Sequence, residues 1–294
     1  MKEYLQKTYE HYLLERIQHE NVLAIVSAKQ NDQDKILSID PDLISLVVVH
    51  NSDRNWAVKQ LDLHNLCVEE HIVTDWQLHQ WLLQGVPEKI LSIYRQGEIV
   101  HDSNNLMHEK GDKFLAIPKE VKKRYMCEHY LAFIQSYVDS KEALQLNMML
   151  DAFHTALQAL IYWGQLEIIE AGEWPEEPVL HKVKSRAPSI YKLYEEVITS
   201  YEPLEKKIEL LLLPIEMQLM AKVKAGTEYL IDKLKQELRP WKTDQIISLL
   251  PGDQNGKNIV LLLDRMVKRG VLHEVFLPVS GGVFREKAYL VHPD

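Results

Sequence analysis

Two carboxylates, Asp40 and Asp42, lie between two apolar segments near the N-terminus and have the clearest chemical potential in this chain. The first segment covers residues 22–26 and ends at the small residue Ser27, and the second covers residues 43–49. Both segments predict buried strands. Because strand side chains two residues apart point to one side, Asp40 and Asp42 could hold a hard divalent cation. The small Ser27 would let backbone amides approach a phosphate closely.

The other segments of the first third predict an α/β arrangement that positions these residues. They are a helix over residues 3–19, strands over 56–63 and 66–73, a helix from Thr74 or Asp75 to Leu83 closed by Gly85, a short element over 90–94, and a turn with a short strand over 95–102. The spacing of apolar residues supports the helices, and alternation supports the strands. The fourth strand carries two further acids, Glu69 and Glu70.

Three passages of this region carry a family resemblance. They are Ile25-Val26-Ser27 followed by Asp40-Pro41-Asp42-Leu43, then Val68 to Thr74, and then Gly97 to Asp102. On these passages, roughly residues 1–115 resemble the polymerase-β-like nucleotidyltransferases, in particular the antibiotic-modifying type. The whole chain is similar to bacillus-type proteins called nucleotidyltransferase-like, which add a helical domain and a C-terminal winged helix.

The resemblance implies a ligand, a metal and a set of site residues. The ligand would be a nucleoside triphosphate or another small molecule, and the metal would be Mg²⁺. Asp40, Asp42 and Glu69 would be the catalytic and metal-binding carboxylates, and Ser27 and Ser45 would contact the nucleotide. In an active enzyme of this type, the cations neutralise the phosphates while a nucleotidyl group moves to an acceptor hydroxyl.

The chain departs from the family pattern at two points. Val26 stands where the family has a glycine before the serine, and the second apolar segment is longer than the family's short strand. Two alignments therefore remain open. In one, Asp40 and Asp42 are the metal pair and the strand is long. In the other, Leu43 and Ser45 occupy the positions of the acids, which predicts a degenerate site without metal-dependent catalysis.

Simpler explanations exist for each of these residues. Asp40-Pro41-Asp42 is also a common turn, because Asp and Pro favour turns for local backbone reasons. On an alternating strand Glu69 and Glu70 point to opposite faces, so only one of them can be a third carboxylate; Glu69 matches better by position and Glu70 is the alternative. The simpler explanation of His71 is a hydrogen-bonded histidine of the strand. Asp62, on the neighbouring strand, is a further candidate for a site carboxylate.

From Pro118 onwards the sequence changes to helical periodicity, which predicts a central helical bundle over residues 118–238. We expect one long helix up to about Tyr137 and a second from Ala143 that ends at Gly164. Further helices are predicted over residues 179–184, 191–199, 205–213 and from about 215 to Pro240, separated by Pro188, Pro203 and Pro214.

The last segment, residues 239–294, predicts a winged helix-turn-helix. It combines a helix over 244–250, a turn, a helix over 257–269 and a hairpin around Ser280-Gly281-Gly282. Its net charge is +2, against −9 for the whole chain. A DNA reader of this type would place the second helix in the major groove and the wing on phosphates. The candidate DNA-binding residues are Asn255, Lys257, Asn258, Arg265, Arg285 and Lys287.

Composition fits a globular protein of two or three domains, with 46% hydrophobic and 26% charged residues among 294. The two cysteines exclude a disulfide framework and, with no signal peptide or long apolar run, predict a cytoplasmic protein without membrane contact. The predicted fold class is α+β. It comprises a nucleotidyltransferase-like domain with a mixed sheet over residues 1–117, a helical bundle, and a winged helix.

Three functions remain open from the sequence. The chain could be an active Mg²⁺-dependent transferase that acts on a hydroxyl acceptor. It could be a non-catalytic descendant that binds a nucleotide or small ligand and reports through the winged helix, or a regulator that binds duplex DNA through that module. It could also be an interaction protein that uses the fold as a scaffold. The sequence favours a degenerate site, because Pro41 cannot lie in the middle of a strand and keeps Asp40 and Asp42 at its mouth or in the preceding loop.

Overall fold

The architecture is taken from a computed structural model of the chain. The residues it describes are 2–19, 21–30, 40–63, 66–109, 116–175, 178–251, 259–278 and 284–291. The chain forms two compact units, Met1–Pro118 and Lys119–Asp294. In the described residues, no helix is long and apolar enough to cross a membrane. The fold class is α+β, with a mixed sheet in the first unit and a helical bundle in the second.

A mixed five-stranded sheet forms the centre of the first unit. Its strands are β1 (Val22–Lys29), β2 (Leu43–Val49), β3 (Trp56–Leu63), β4 (Leu66–Thr74) and β5 (Glu98–Asp102). They lie in the order β3-β4-β2-β1-β5, with β2 and β4 parallel and all other neighbours antiparallel. All residues of β2 are buried, which explains its continuous apolar sequence.

Among the described residues, three α-helices of nine or more residues accompany this sheet. They are α1 (Lys2–His19), α2 (Asp75–Gln84) and α3 (Glu88–Gln96). Thr74 caps α2 by accepting a hydrogen bond from the backbone amide of Gln77, and the amide of Gly85 bonds back to Trp81, as the sequence predicts. Tyr9 and Leu13 of α1 belong to one buried cluster with residues of β1, β2 and β4. Helix α1 therefore covers one face of the sheet.

The strands mostly follow the sequence pattern, with one difference that matters for the site. The apolar run predicts that β1 stops at Ser27, but the strand continues to Lys29. Ser27 pairs with Ser45 of β2 on one side and with Glu98 of β5 on the other. Ser27 is therefore a strand residue inside the sheet and does not begin a loop. Its small polar side chain is held there by pairing on both sides.

Helices dominate the second unit. They are α4 (Lys119–Gln145), α5 (Met149–Glu170), α6 (Val179–Arg186), α7 (Pro188–Thr199), α8 (Leu204–Ala221) and α9 (Val223–Leu234). Pro188 occupies the first turn of α7, and Pro203 precedes α8, where the missing amide hydrogen costs nothing. The long α4 and α5 pack side by side, and Ser140 donates a hydrogen bond to the carbonyl oxygen of Ala152 across that contact.

Gly164 does not end a helix, contrary to the prediction. It lies within α5, where a Cβ atom would come 2.6 Å from Cγ2 of Val183. The glycine permits close approach of α6 and is not a helix terminator. Gly226 of α9 has a similar role, because a Cβ atom there would lie 2.3 Å from the ring of Tyr130. Sequence periodicity cannot distinguish a terminating glycine from a packing glycine.

Pro214 also does not separate two helices. It lies inside α8, and the predicted long helix from 215 to 240 is instead the end of α8 followed by α9. Proline removes one intrahelical hydrogen bond and crowds the preceding turn. Leu211, Leu212, Ile215 and Leu219, on both sides of it, are buried, and this packing stabilises the helix through the proline.

The C-terminal elements of the second unit form a small antiparallel sheet with two helices. They are β6 (Trp241–Lys242), α10 (Thr243–Leu249), α11 (Ile259–Lys268), β7 (Leu272–Pro278) and β8 (Arg285–Val291), with sheet order β6-β8-β7. Both strands of the predicted hairpin are present. The predicted turn at 280–282 and the start of the second helix at 257–258 lie outside the described residues.

Candidate functional site

The parallel register of β2 and β4 identifies which residues meet at the centre of the sheet. Leu43 pairs with Val68, and Ser45 pairs with Glu70. Ser45 is fully buried, and its hydroxyl donates a hydrogen bond of 3.1 Å to Oγ of Ser27 on β1. Ser27, Ser45 and Glu70 thus form a row across three strands, on the face that α1 covers. Of the two positions where the second alignment expects acids, Leu43 and Ser45, the row contains Ser45.

Glu70 is a fully buried carboxylate with two partners on α1. Nη1 of Arg16 lies 2.8 Å from its Oε2, and the hydroxyl of Tyr9 donates a 2.8 Å hydrogen bond to its Oε1. Arg16 is itself only 6% exposed. Burial, together with the negative charge of Glu70, raises the pKa of Tyr9 far above its ordinary value, so the hydroxyl remains a donor. The pair is therefore a buried ion pair with an additional neutral donor.

Asp40 and Asp42 lie at the entrance of β2, before the strand begins, and are partly buried. The Oδ2 atom of Asp42 accepts a 2.8 Å hydrogen bond from the backbone amide of Cys67, and its own amide donates to the carbonyl oxygen of Cys67. Asp42 thereby extends the pairing of β2 with β4 by one residue. This is a structural use of the carboxylate at the position predicted for a metal ligand.

Glu69 points away from Glu70, to the opposite face of the sheet. Its Oε1 atom lies 2.8 Å from Nε2 of His71 and 3.3 Å from Nζ of Lys89 on α3. Burial alone would raise the pKa of Glu69, but the hydrogen bond to His71 and the charge of Lys89 lower it below the ordinary value. Nδ1 of His71 accepts a 3.2 Å hydrogen bond from the indole of Trp56, so this histidine is satisfied on both nitrogens.

A cavity of about 120 Å³ lies beside the Ser27–Ser45 row. Its wall includes Tyr9 and Leu13 of α1, Ser27 and Lys29 of β1, and Glu98 of β5. Cross-strand pairing places Ser27 opposite Glu98, which explains why these polar groups surround one space. Sequence reasoning did not identify Lys29 and Glu98, because their proximity depends on the pairing of β1 with β5 across 69 residues of chain.

Comparison with known proteins agrees with this fold. Residues 1–124 match the nucleotidyltransferase-like family model. Residues 122–222 match the YgxA-like substrate binding domain. The resemblance inferred from the sequence is therefore confirmed, and the helices that follow the nucleotidyltransferase-like domain correspond to a substrate-binding type of domain.

Two relatives cover nearly the whole chain. The uncharacterized protein YgxA of Bacillus subtilis (strain 168) is 26% identical over 275 residues, which is 94% of this chain and 93% of that protein. A crystal structure of a nucleotidyltransferase-like protein from Exiguobacterium sibiricum 255-15 superposes with a TM-score of 0.70. It is 23% identical and covers 98% of this chain and 99% of its own, which shows a shared fold.

Among the described residues of the first unit, the row of Ser27, Ser45 and Glu70 does not offer the ligands of a magnesium centre. Leu43 offers no ligand, Ser45 offers only a hydroxyl, and the charge of Glu70 is already compensated by Arg16. Among the described residues, no group of three or more His, Cys, Asp and Glu side chains could hold a metal ion. Asp40, Asp42 and Glu69 are not brought together in such a group, and their catalytic assignment stays a prediction.

Three of the six candidate DNA-binding residues, Asn255, Lys257 and Asn258, lie outside the described residues. Arg265 is only 6% exposed, and its Nη1 atom lies 3.0 Å from Sδ of Met220, so it packs in the interior and is not available to a phosphate. This argues against its predicted role.

The other two candidate DNA-binding residues lie on the hairpin. Arg285 is exposed, whereas Nζ of Lys287 lies 2.8 Å from Glu274. The hydrogen bond to Glu274 raises the pKa of Lys287 above its ordinary value. Lys287 thus remains a cation, although its charge is compensated within the hairpin.

Sequence reasoning also did not identify Arg16 and Tyr9 as site residues. A signal for them existed, because Tyr9, Leu13 and Arg16 recur at helical spacing on the face of α1 that packs on the sheet. A lone arginine on such an apolar face requires a buried acid as partner. From the sequence alone, Glu70 is only the alternative third carboxylate. The structure identifies it as the buried acid that pairs with Arg16.

Proposed function

We propose that this protein is a non-catalytic, nucleotidyltransferase-like protein that binds a nucleotide or another small ligand through its N-terminal sheet. The supporting observation is the row of Ser27, Ser45 and Glu70, in which a buried arginine of α1 compensates the one carboxylate. The protein keeps a nucleotidyltransferase-like fold, but Arg16 neutralises the negative charge of Glu70, which would otherwise attract metal ions.

The physical argument concerns the charges needed for nucleotidyl transfer. Phosphoryl chemistry depends on metal ions that neutralise the phosphate oxygens and align the leaving group. The guanidinium of Arg16 satisfies the carboxylate of Glu70. Removing Arg16 would therefore cost hydrogen bonds and leave a desolvated charge, and adding a divalent cation would have the same kind of cost. Ligand binding without transfer is the function that these residues support.

The second unit provides the remainder of the proposal. Residues 122–222, which match a substrate binding domain, would bind a substrate, and the C-terminal helices and strands would form a winged helix that reports binding to a partner. Duplex DNA is a second candidate partner, favoured by the order of helices and hairpin and by the net charge of +2 for residues 239–294. We place the protein in the cytoplasm, in keeping with its two free cysteines.

Pyrophosphate release tests the absence of transfer. The full chain is incubated with each of the four nucleoside triphosphates and Mg²⁺ or Mn²⁺, alone and with hydroxyl acceptors such as aminoglycosides. We expect release no greater than that of a Glu70→Gln variant. Metal-dependent release that an Asp42→Asn change abolishes would show an active enzyme and overturn the proposal. Ligand binding is followed in the same samples by thermal shift, with and without EDTA, and we expect no dependence on metal.

A filter-binding assay tests the DNA candidate. Binding of the full chain to duplex DNA is measured over a salt series, because phosphate contacts release counterions and make affinity fall steeply with salt. Arg285→Ala should weaken binding uniformly if the exposed hairpin contacts phosphates. A signal that is absent, or that salt does not change, counts against DNA as the partner and leaves a protein partner for the winged helix.

A further inference from the structure

The cavity beside the Ser27–Ser45 row carries two opposite charges on the same face of the sheet. Lys29 and Glu98 both contribute to its wall, with the Ser27 hydroxyl between them. We propose that this cavity binds a small zwitterion, an α-amino acid with a short aliphatic side chain. Lys29 would bind its carboxylate and Glu98 its ammonium group. The proposal rests on the proposed function, since it names the ligand class for that same face.

The volume of the cavity decides against a nucleotide. It measures about 120 Å³. Pockets for drug-sized ligands and cofactors usually hold about 300–1,000 Å³. A nucleoside triphosphate therefore cannot be enclosed here. A molecule of a few heavy atoms can, and small amino acids are of this size.

The positions of the two charges suit a ligand that carries both signs. Ser27 pairs with Glu98 across β1 and β5, and Lys29 lies two residues further along β1, so Lys29 and Glu98 are diagonal neighbours on one face. Both are exposed at the rim, and neither makes an ion pair with a described residue. A zwitterion bound between them would satisfy both charges at once, whereas a simple anion or cation would satisfy only one.

The remaining wall selects the side chain of the ligand. Leu13, Leu43 and Val100 are apolar, and Ser27 offers a neutral hydrogen-bonding group. Leu43 is one of the two positions where the second alignment expects an acid, and there it supplies an apolar contact to the cavity. A short aliphatic chain fits this wall, while a charged or long side chain would bury polar atoms without partners or exceed the volume.

Calorimetric titration of the full chain tests the proposal, with L-alanine and L-valine as probes. Acetate and methylamine, which carry one charge each, serve as half-ligands, and ATP serves as the nucleotide. We expect binding of the amino acids, and binding at least about tenfold weaker for either half-ligand, because each loses one charge-assisted contact. Lys29→Met and Glu98→Gln should each weaken amino-acid binding at least about tenfold. Lys59→Met on the exposed strand β3 and Asp53→Asn just before that strand are the matched controls and should leave amino-acid binding unchanged.

The outcomes separate this inference from the proposed function. Amino-acid binding that neither Lys29→Met nor Glu98→Gln weakens would place the ligand elsewhere and overturn the inference. Binding of ATP without binding of amino acids would also overturn it, while the non-catalytic function would stand. Metal-dependent pyrophosphate release would overturn the function itself. Circular dichroism of each variant checks that the fold is intact, which is expected because both side chains are exposed.

Discussion

Arg16 of the first helix and Glu70 of the central sheet form a buried ion pair, with Nη1 and Oε2 2.8 Å apart. Tyr9 donates to the other carboxylate oxygen, so Glu70 makes hydrogen bonds through both of its oxygens. Buried pairs of this kind are costly to desolvate, and breaking one partner leaves an uncompensated charge. The pair therefore ties α1 to the central strands of the sheet, on the face that carries Ser27 and Ser45.

Removing Arg16 should destabilise the first unit strongly. We expect Arg16→Met to lower the free energy of unfolding by about 3–5 kcal/mol, because the Glu70 charge is left buried without a cation. The double variant Arg16→Met/Glu70→Gln should recover much of this loss, since no charge remains. Urea unfolding followed by circular dichroism gives both values. Lys206→Met, which removes an exposed pair with Glu202, is the control and should change stability by less than about 1 kcal/mol. Equal losses in the single and double variants would contradict the charge argument.

Glu69 should contribute stability that acid removes. Its pKa in the folded protein is below the ordinary value of about 4.3, so this contribution is complete above that value and is lost as pH falls through the folded pKa. Urea midpoints of the wild type and Glu69→Gln, measured from pH 7 to pH 3, should differ most at neutral pH and converge in acid. A difference that grows as pH falls would have the wrong sign.

Asp42 should act as a structural acceptor in the absence of any metal. Asp42→Ala leaves the backbone amide of Cys67 without its carboxylate partner. We expect a loss of about 1–3 kcal/mol in the free energy of unfolding. Asp42→Asn keeps an oxygen acceptor and should cost less. Urea unfolding in EDTA and in Mg²⁺ should give the same values for both variants. A stabilisation by Mg²⁺ that is present in the wild type and absent from Asp42→Asn would instead assign a metal-binding role.

Arg265 and Arg285 should behave differently although both were candidates for DNA contact. Arg265 lies under Met220 and near the ring of Tyr137, so Arg265→Ala should cost about 1–3 kcal/mol of stability through lost packing. Arg285 is exposed, and Arg285→Ala should change stability by about 0.5 kcal/mol or less. Thermal unfolding distinguishes them. A neutral Arg265→Ala would contradict the buried position of this side chain.

Much of the first unit could be predicted because its signals are local. The alternation of residues 56–63 and 66–73, the apolar run of residues 43–49 and the cap at Thr74 each depend on neighbours in the sequence. Gly164 and Pro214 were misread for the opposite reason. The role of Gly164 depends on its contact with Val183, and the helix continues through Pro214 because leucines of α8 on both sides of it are buried. No local sequence pattern indicates such packing.

The sequence by itself determined the strands, most of the helices and the family resemblance, because hydrophobic periodicity and turn residues act over a few positions. It also determined that Leu43 and Ser45 follow the two aspartates, which raised the question of a degenerate site. Only the tertiary structure decided which acid meets which cation. Register between strands and the docking of α1 bring together residues 54 positions apart, as with Arg16 and Glu70, and side-chain pairing across such a distance is fixed by packing of the whole unit.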